Sequence, residues 1–152
     1  MCFESKTVGV QSELSIGPQR SAWNSHTRLK AASEDDEAEA AVRKVAEAYE
    51  AGTRARDIDA LKAVFAPEAS MSGWLGDQML CGSPQPYFDF VAANEVADDY
   101  TAEIVSVTVN GKIAFVETKE SNLFGMEFSN YLHLLQYEDN SWKITAKLFR
   151  HY

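Results

Sequence analysis

A long hairpin is encoded by residues 128–150, FSNYLHLLQYEDNSWKITAKLFR. Two runs rich in aromatic and branched side chains flank the turn formers 138–141, a pattern typical of two antiparallel strands. Pairing Tyr137 with Trp142 sets the register, and strand side chains alternate between faces. We expect the core face to carry Tyr131, His133 and Leu135. We expect the outer face to carry Leu132, Leu134 and Phe149.

A second hairpin is predicted upstream, with strands at 100–109 and 112–120 joined by Asn110-Gly111. This dipeptide is the strongest short hairpin signal. In the resulting register one face is rich in valine, which predicts that it packs in the core: Val105, Val107, Val109 and, on the second strand, Val116, Thr118 and Glu120. The opposite face of these strands carries Ile104, Ile113 and Phe115.

Three helices are predicted before the second hairpin. Ser33, followed by three acidic residues, predicts a helix start, and the apolar spacing through Val42 and Tyr49 extends the helix to about Gly52. Asp57 is the predicted cap of a second helix that ends at Pro67. A small irregular hairpin at 69–80 follows, and Ser83 then begins a third helix. Its inner side is aromatic: Tyr87, Phe88, Phe90 and Val91.

The N-terminal segment 1–33 differs from the rest of the chain, being rich in serine and lacking a periodic apolar face. We therefore expect a flexible arm or leader at 1–33 and a single domain at 34–152. The segment has no apolar core of a secretory signal, which predicts a cytoplasmic protein. A serine-rich, acid-poor stretch also fits an organellar transit peptide, although Glu4 and Glu13 count against that interpretation.

Composition excludes several classes of function. The chain has 152 residues, is 45% hydrophobic and carries a formal net charge of −9, which argues against nucleic acid or an anionic membrane as partner. Cys2 and Cys81 form no CxxC pair and are expected to be free thiols. The histidines have no metal-ligand spacing, and no glycine-rich phosphate loop is present. We expect neither a metal nor a cofactor.

The order helix, helix, small hairpin, helix and four long strands resembles the cone-shaped α+β fold of nuclear transport factor 2 and its relatives. Residues 49–69 resemble the segment that opens this superfamily, in which an aspartate-capped helix ends at a phenylalanine. Residues 128–132 and 142–144 resemble its C-terminal signature in the SnoaL-like or lumazine-binding-like branch. The resemblance spans about 37–151 and implies a curved antiparallel sheet with three helices on its concave face. Members include isomerases, dehydratases, cyclases, carriers and dimerisation modules.

The resemblance implies candidate catalytic residues inside the cone. His133 has an ordinary pKa near neutrality and is a candidate acid or base, with a hydrogen-bonded core histidine as the alternative that the pattern favours. Tyr49 and Tyr131 are candidates for stabilising charge, and Tyr49 matches the phenol of ketosteroid isomerase-like members. Those members carry an aspartate base where this chain has Gly73, which counts against their particular mechanism.

The expected ligand-binding residues line the mouth and wall of the cone, where aromatic and methionine side chains suit a flat apolar ligand. They are Met71, Trp74, Met79, Phe88, Phe90 and Val116. Glu120 lies at a strand end and is expected to contact either the ligand or, as the favoured alternative, solvent.

Three functions follow from these expectations. The first is binding of a small, largely apolar molecule. The second is a cofactor-free isomerase, cyclase or dehydratase that uses His133 and Tyr49, and the third is a non-catalytic dimerisation module. In each case we expect a homodimer formed through the apolar outer face of the sheet.

Overall fold

The computed structural model describes residues 23–152, with side chains described from residue 33 onward. The described part of the chain has three helices and six strands. In chain order they are α1 (Trp23–Ala55), α2 (Ile58–Val64), β1 (Phe65–Leu75), β2 (Gln78–Gly82), α3 (Gln85–Ala93), β3 (Thr101–Asn110), β4 (Ile113–Leu123), β5 (Met126–Gln136) and β6 (Trp142–His151).

The six strands form one curved, unclosed sheet in the order β2-β1-β6-β5-β4-β3. Strand β1 runs parallel to β6, whereas every other pair of neighbours is antiparallel. All three helices contribute buried side chains to one core with β1, β4, β5 and β6. The predicted α+β fold is confirmed, except that the sheet is mixed rather than wholly antiparallel.

Helix α1 begins at Trp23, so the predicted helix start at Ser33 is wrong. The preceding segment 29–32, Leu-Lys-Ala-Ala, consists of strong helix formers, which lets the helix continue upstream of the serine. Of the predicted arm 1–33, residues 1–22 lie outside the described residues, and 23–33 belong to α1. The inner side agrees with the prediction at Val42 and Tyr49, which are both fully buried.

Helix α2 has the predicted cap, because Asp57 Oδ1 accepts a hydrogen bond from the backbone N–H of Ala60 at 3.0 Å. The helix ends at Val64, and Phe65 already belongs to β1, so Pro67 lies in a strand rather than ending the helix. Helix α3 buries most of its predicted inner side: Tyr87, Phe88 and Val91.

The turn between β3 and β4 is displaced by one residue from its predicted position. Asn110 pairs with Ile113, so the turn consists of Gly111 and Lys112, and Gly111 has a φ of 60°. The register predicted from a turn at Asn110-Gly111 is therefore wrong.

The valine face of β3 is confirmed only in its second half. Val107 and Val109 pack against the core, opposite buried residues of β4. The register shifts between Ile104 and Ser106, and such a bulge reverses the facing of the residues beyond it. Val105 is consequently 41% exposed, while Ile104 packs against the core.

The hairpin of β5 and β6 contains a second register shift, which determines which side chains of β6 face the core. The predicted pairing of Tyr137 with Trp142 is wrong, because Gln136 pairs with Trp142 and Leu134 with Ile144. Farther from the turn, Tyr131 pairs with Leu148 and His133 with Ala146, as the predicted register requires. Thr145 is the extra residue of this bulge, so β6 changes its facing there.

The core face of β5 is the opposite of the predicted one. Asn130, Leu132 and Leu134 are buried, whereas Tyr131 and His133 are exposed on the outer face. The placement of His133 and Tyr131 inside the cone is therefore wrong. The physical reason is the pairing of β4 with β5, in which Asn130 lies directly opposite the buried Thr118 and therefore shares its face.

The same correction changes the predicted outer face. Leu132, Leu134 and Phe149 point inward and are at most 8% exposed. The residues that do face outward and remain exposed include Ile113, Tyr131, Leu135 and Leu148.

Within the described residues, no helix combines the length and the apolar character needed to cross a membrane. The same residues contain no group of three or more side chains that could hold a metal ion.

Candidate functional site

A cavity of about 270 Å³ lies between α3, the small β1–β2 hairpin and the ends of β4, β5 and β6. Its walls are almost entirely apolar. The aromatic part of the wall consists of Tyr87, Phe90, Phe124, Phe128 and Phe149. The aliphatic and sulfur-containing part includes Met71, Leu75, Leu80, Leu123 and Met126. Two charged side chains also line the cavity, Glu120 and Lys147.

Glu120 is 1% exposed, because it follows Val116 and Thr118 on the inward face of β4. Its carboxylate accepts three hydrogen bonds. Tyr100 Oη donates to Oε1 at 2.7 Å, and Asn130 Nδ2 and Tyr49 Oη donate to Oε2 at 2.7 and 3.2 Å. A buried carboxylate is tolerated only with such donors, so these three side chains hold Glu120 in place.

Lys147 is 3% exposed and lies on the inward face of β6. The bulge at Thr145 explains this position, since it places Lys147 on the same face as Ile144, three residues earlier. Lys147 Nζ donates a hydrogen bond to Tyr49 Oη at 2.6 Å. It also stands 4.2 Å from the centre of the Tyr87 ring and 4.9 Å from that of Tyr49, which are favourable cation–π distances.

The Tyr49 hydroxyl therefore joins the two charged groups, accepting from Lys147 and donating to Glu120. Burial lowers the pKa of the Lys147 ammonium to about 8, and the attraction of Glu120 opposes this effect. Burial and the negative charge of Glu120 raise the pKa of the Tyr49, Tyr87 and Tyr100 phenols. The phenols stay protonated as donors, while the lysine can lose its proton at mildly basic pH.

The ammonium of Lys147 has unused hydrogen-bonding capacity. An ammonium carries three N–H donors, and within the described residues Lys147 uses one of them, toward Tyr49. Buried charges are normally fully paired, because desolvation is costly. At the wall of an apolar cavity, such a group is suited to donate to an acceptor atom of a ligand.

Two further polar groups near Glu120 also lack partners in the described part of the chain. Asn130 Nδ2 donates to Thr118 and Glu120, but its Oδ1 is buried without a hydrogen bond. Oε1 of the half-buried Glu50 is likewise buried without a hydrogen bond. Burial and repulsion by Glu120 and Glu47 raise the pKa of Glu50 to about 7.

The structure brings only some of the predicted site residues together. Tyr49 lies in the polar cluster, and Met71, Phe90 and Glu120 line the cavity. The favoured alternative for Glu120, contact with solvent, is wrong, since its side chain is buried among three donors.

The other predicted site residues lie elsewhere. Phe88 and Val116 are buried in the core and are not part of the cavity wall. Trp74 and Met79 are 50% and 61% exposed and are not part of the cavity wall. His133 is on the outer face, where its ring contacts Phe115.

Gly73 cannot accept the aspartate of ketosteroid isomerase-like relatives in this backbone. A Cβ atom at this position would lie 2.1 Å from the carbonyl oxygen of Phe149 and 2.6 Å from its ring. The close approach of β1 to β6 therefore requires glycine here.

The site contains functional candidates that the sequence did not reveal: Tyr87, Tyr100, Asn130 and Lys147. Asn130 lies on β5 and Lys147 on the second half of β6, where the inward and outward faces were predicted the wrong way round. One sequence signal for a buried polar cluster was present. Thr118 and Glu120 continue the face of Val116, so the alternation along β4 places two polar side chains on the core face.

Comparison with known proteins agrees with this architecture. Residues 37–150 match the protein family described as "Putative lumazine-binding". No curated protein matches the chain.

The chain is also similar to several solved structures. An NTF2-like protein of unknown function from Silicibacter pomeroyi is 28% identical, with a TM-score of 0.70 over 77% of this chain and 98% of that one. An NTF2-like protein of unknown function from Shewanella baltica is 21% identical, with a TM-score of 0.69 over 74% and 91%. A ketosteroid isomerase-like protein from Erwinia carotovora atroseptica is 19% identical, with a TM-score of 0.57 over 74% and 95%.

At 21% and 19% identity, the similarity to the Shewanella and Erwinia proteins shows a shared fold alone. The family match covers most of the chain and includes the core and all six strands apart from the last residue of β6. The chain therefore belongs to the "Putative lumazine-binding" family of the nuclear transport factor 2-like superfamily.

Proposed function

We propose that the cavity binds a small, flat, largely apolar molecule whose hydrogen-bond acceptor, such as a carbonyl oxygen, is held by Lys147. The observation that carries this proposal is the buried ammonium of Lys147, which lines an apolar cavity and uses one of its three donors within the described residues. An acceptor on the ligand would satisfy a donor that is otherwise costly to bury.

The size and lining of the cavity support the same class of ligand. A volume of about 270 Å³ is at the lower end of small-molecule sites, which suits one or two fused rings. The five aromatic residues of the wall favour a flat molecule. Lumazine, which the family description names, is a bicyclic dione and is therefore a suitable second probe.

The test uses a matched pair of ligands, 2-acetylnaphthalene and 2-isopropenylnaphthalene. The second has a CH₂ group in place of the carbonyl oxygen of the first. We expect the ketone to bind about tenfold more tightly or better, since a hydrogen bond to a charged group contributes about 1.5–3 kcal/mol. Calorimetric titration of the wild type and the Lys147→Met variant measures the difference. The variant should lose the preference for the ketone while still binding both molecules.

The matched control is Lys119→Met, because Lys119 is an exposed lysine of β4. This variant should keep the preference of the wild type, and the melting temperature of each variant reports its folding. Equal affinities in the wild type would contradict the role of Lys147. Absence of binding by both molecules would contradict the proposal as a whole and favour a dimerisation module.

A second candidate function is a cofactor-free isomerase that moves a proton next to a carbonyl group. The specific observation in its favour is the chain of hydrogen bonds from Lys147 through Tyr49 to Glu120, with a lysine pKa of about 8. An acid–base group with a pKa near the working pH is suited to proton transfer. Incubation of 2-acetylnaphthalene in D₂O should then exchange its methyl protons faster with the wild type than with Lys147→Met. Exchange at the uncatalysed rate would exclude this function for that ketone.

We also propose that the protein is a homodimer that joins through the outer face of β3 to β6. Exposed apolar side chains continue across this face, including Ile113, Tyr131, Leu135 and Leu148, which are 38–56% exposed. Four strands about 4.8 Å apart and about ten residues long cover roughly 600 Å². This area approaches the roughly 800 Å² per partner of a standard interface, and such a patch is large for a monomer.

Sedimentation velocity tests the dimer. The wild type should sediment as a dimer at micromolar concentration, and Ile113→Lys should shift it toward the monomer, because a buried lysine charge at the interface is costly. Met79→Lys is the matched control, since Met79 is similarly exposed but lies on β2. A monomeric wild type, or dissociation by both variants, would contradict this interface.

A further inference from the structure

We infer that the amine of Lys147 captures aldehydes in the cavity as a covalent imine. This inference deepens the proposed function and rests on it, since it names a reactive carbonyl as the ligand group. The geometry that carries it is the position of Lys147, which lines an apolar cavity beside a hydroxyl that is itself linked to a carboxylate.

The surroundings of Lys147 make its amine a nucleophile. Only a neutral amine attacks a carbonyl carbon, and lysines are activated in this way when an apolar site desolvates the ammonium. The side chain is 3% exposed and lies against the rings of Tyr49 and Tyr87. Since its pKa is lowered to about 8, roughly half of Lys147 is neutral at pH 8, whereas a solvated lysine with a pKa of about 10.4 is neutral in under about 1% of molecules.

The Tyr49 hydroxyl can move the protons that the reaction requires. In the first step, the lone pair of Nζ forms a bond to the aldehyde carbon, and the carbonyl π electrons move to the oxygen. A proton passes from nitrogen to this oxygen through Tyr49, giving a carbinolamine. In the second step, the nitrogen lone pair expels the hydroxyl group, which takes a proton from Tyr49 and leaves as water. The resulting iminium returns a proton to Tyr49, so the net products are an imine and one water molecule.

Glu120 holds the Tyr49 hydroxyl beside Lys147 in the resting site, because it accepts the hydrogen bond of the phenol at 3.2 Å. In each transfer the phenol turns this hydrogen from Glu120 to the oxygen of the aldehyde. Lys147 is 3% exposed, so bulk water has little access to the nitrogen of an imine formed there, and hydrolysis is slowed. The cavity thus combines a desolvated amine, a proton relay and room for a flat aldehyde.

The test is reductive trapping. The full chain is incubated with 2-naphthaldehyde and sodium cyanoborohydride at about pH 8, and peptide mapping by mass spectrometry locates the naphthylmethyl group. We expect modification at Lys147 at least about tenfold faster than at the exposed Lys119. The Lys147→Met variant should lose this rapid modification, Lys119→Met should retain it, and Tyr49→Phe should slow it while 2-acetylnaphthalene still binds.

Mapping in the wild type makes the result independent of whether any variant folds. Equal modification of Lys147 and the surface lysines, or absence of modification at Lys147, would overturn the inference. If 2-acetylnaphthalene nevertheless binds in a manner that depends on Lys147, the proposed function stands and only the covalent step is wrong. If neither ligand engages Lys147, both proposals are wrong.

Discussion

Replacing Lys147 with methionine should change how the stability of the protein depends on pH. The pKa of Lys147 is lowered to about 8 in the folded chain, against about 10.4 for an unfolded lysine. Between these two values the unfolded state binds more protons than the folded state, so the free energy of unfolding rises with pH. Below about pH 8 the buried ammonium destabilises the fold fully, and this destabilisation is relieved as the pH rises.

The magnitude follows from the same two values. Each pH unit above the folded pKa contributes about 1.4 kcal/mol, so the wild type should gain about 2 kcal/mol relative to Lys147→Met between about pH 7 and about pH 9.5. The range stops there because unfolded tyrosines lose their protons near pH 10. The buried phenols of this protein have raised pKa values, so they lower its stability at still higher pH.

Urea unfolding at several pH values, followed by tryptophan fluorescence, measures the difference between the wild type and the variant. Lys119→Met is the matched control, since an exposed ammonium is solvated in both states, and its difference from the wild type should stay constant. A difference between the wild type and Lys147→Met that does not change with pH would refute the reasoning, because Lys147 would then be as solvated as a surface lysine.

Three other substitutions test the surroundings of the cavity. Tyr100→Phe should lower the free energy of unfolding by about 1–3 kcal/mol, because it removes a hydrogen-bond donor from the buried Glu120. Tyr137→Phe removes an exposed phenol–carboxylate hydrogen bond and should lower it much less in the same urea titration. Glu50→Gln should raise the melting temperature at about pH 8 and have little effect at about pH 4, because the raised pKa of Glu50 lowers the free energy of unfolding progressively between the unfolded pKa of about 4.3 and the folded pKa of about 7. An equal effect at both pH values would contradict this. Gly73→Ala should unfold or strongly destabilise the chain, since its Cβ would collide with the neighbouring strand, and a melting temperature equal to that of the wild type would show that the strands can separate.

Local sequence signals were sufficient for much of the fold. Asp57 as a helix cap depends only on its nearest neighbours, and both long hairpins follow from turn residues and strand propensity. The strand face of Glu120 was also predictable, because it continues the alternation of Val116 along β4, whereas contact with solvent was favoured and its burial was not predicted.

The facing of β5 and of the second half of β6 was not predictable in the same way. Facing along a strand reverses with every one-residue shift, and the extra residue Thr145 has no distinctive sequence signal. The prediction therefore placed His133 in the core and overlooked Lys147 and Asn130. Burial of a lysine and an asparagine is unusual enough that composition favours their exposure, and only the complete hydrogen-bonding cluster makes it favourable.

Methyl NMR of protein labelled at methionine is the measurement that tests the ligand cavity most directly. Met71 and Met126 line the cavity, whereas Met79 is exposed on β2 outside it and serves as an internal control. On addition of 2-acetylnaphthalene, ring currents should shift the methyl signals of Met71 and Met126 and leave that of Met79 in place. Unchanged signals at Met71 and Met126, or a shift confined to Met79, would contradict the assignment of this cavity as the ligand site.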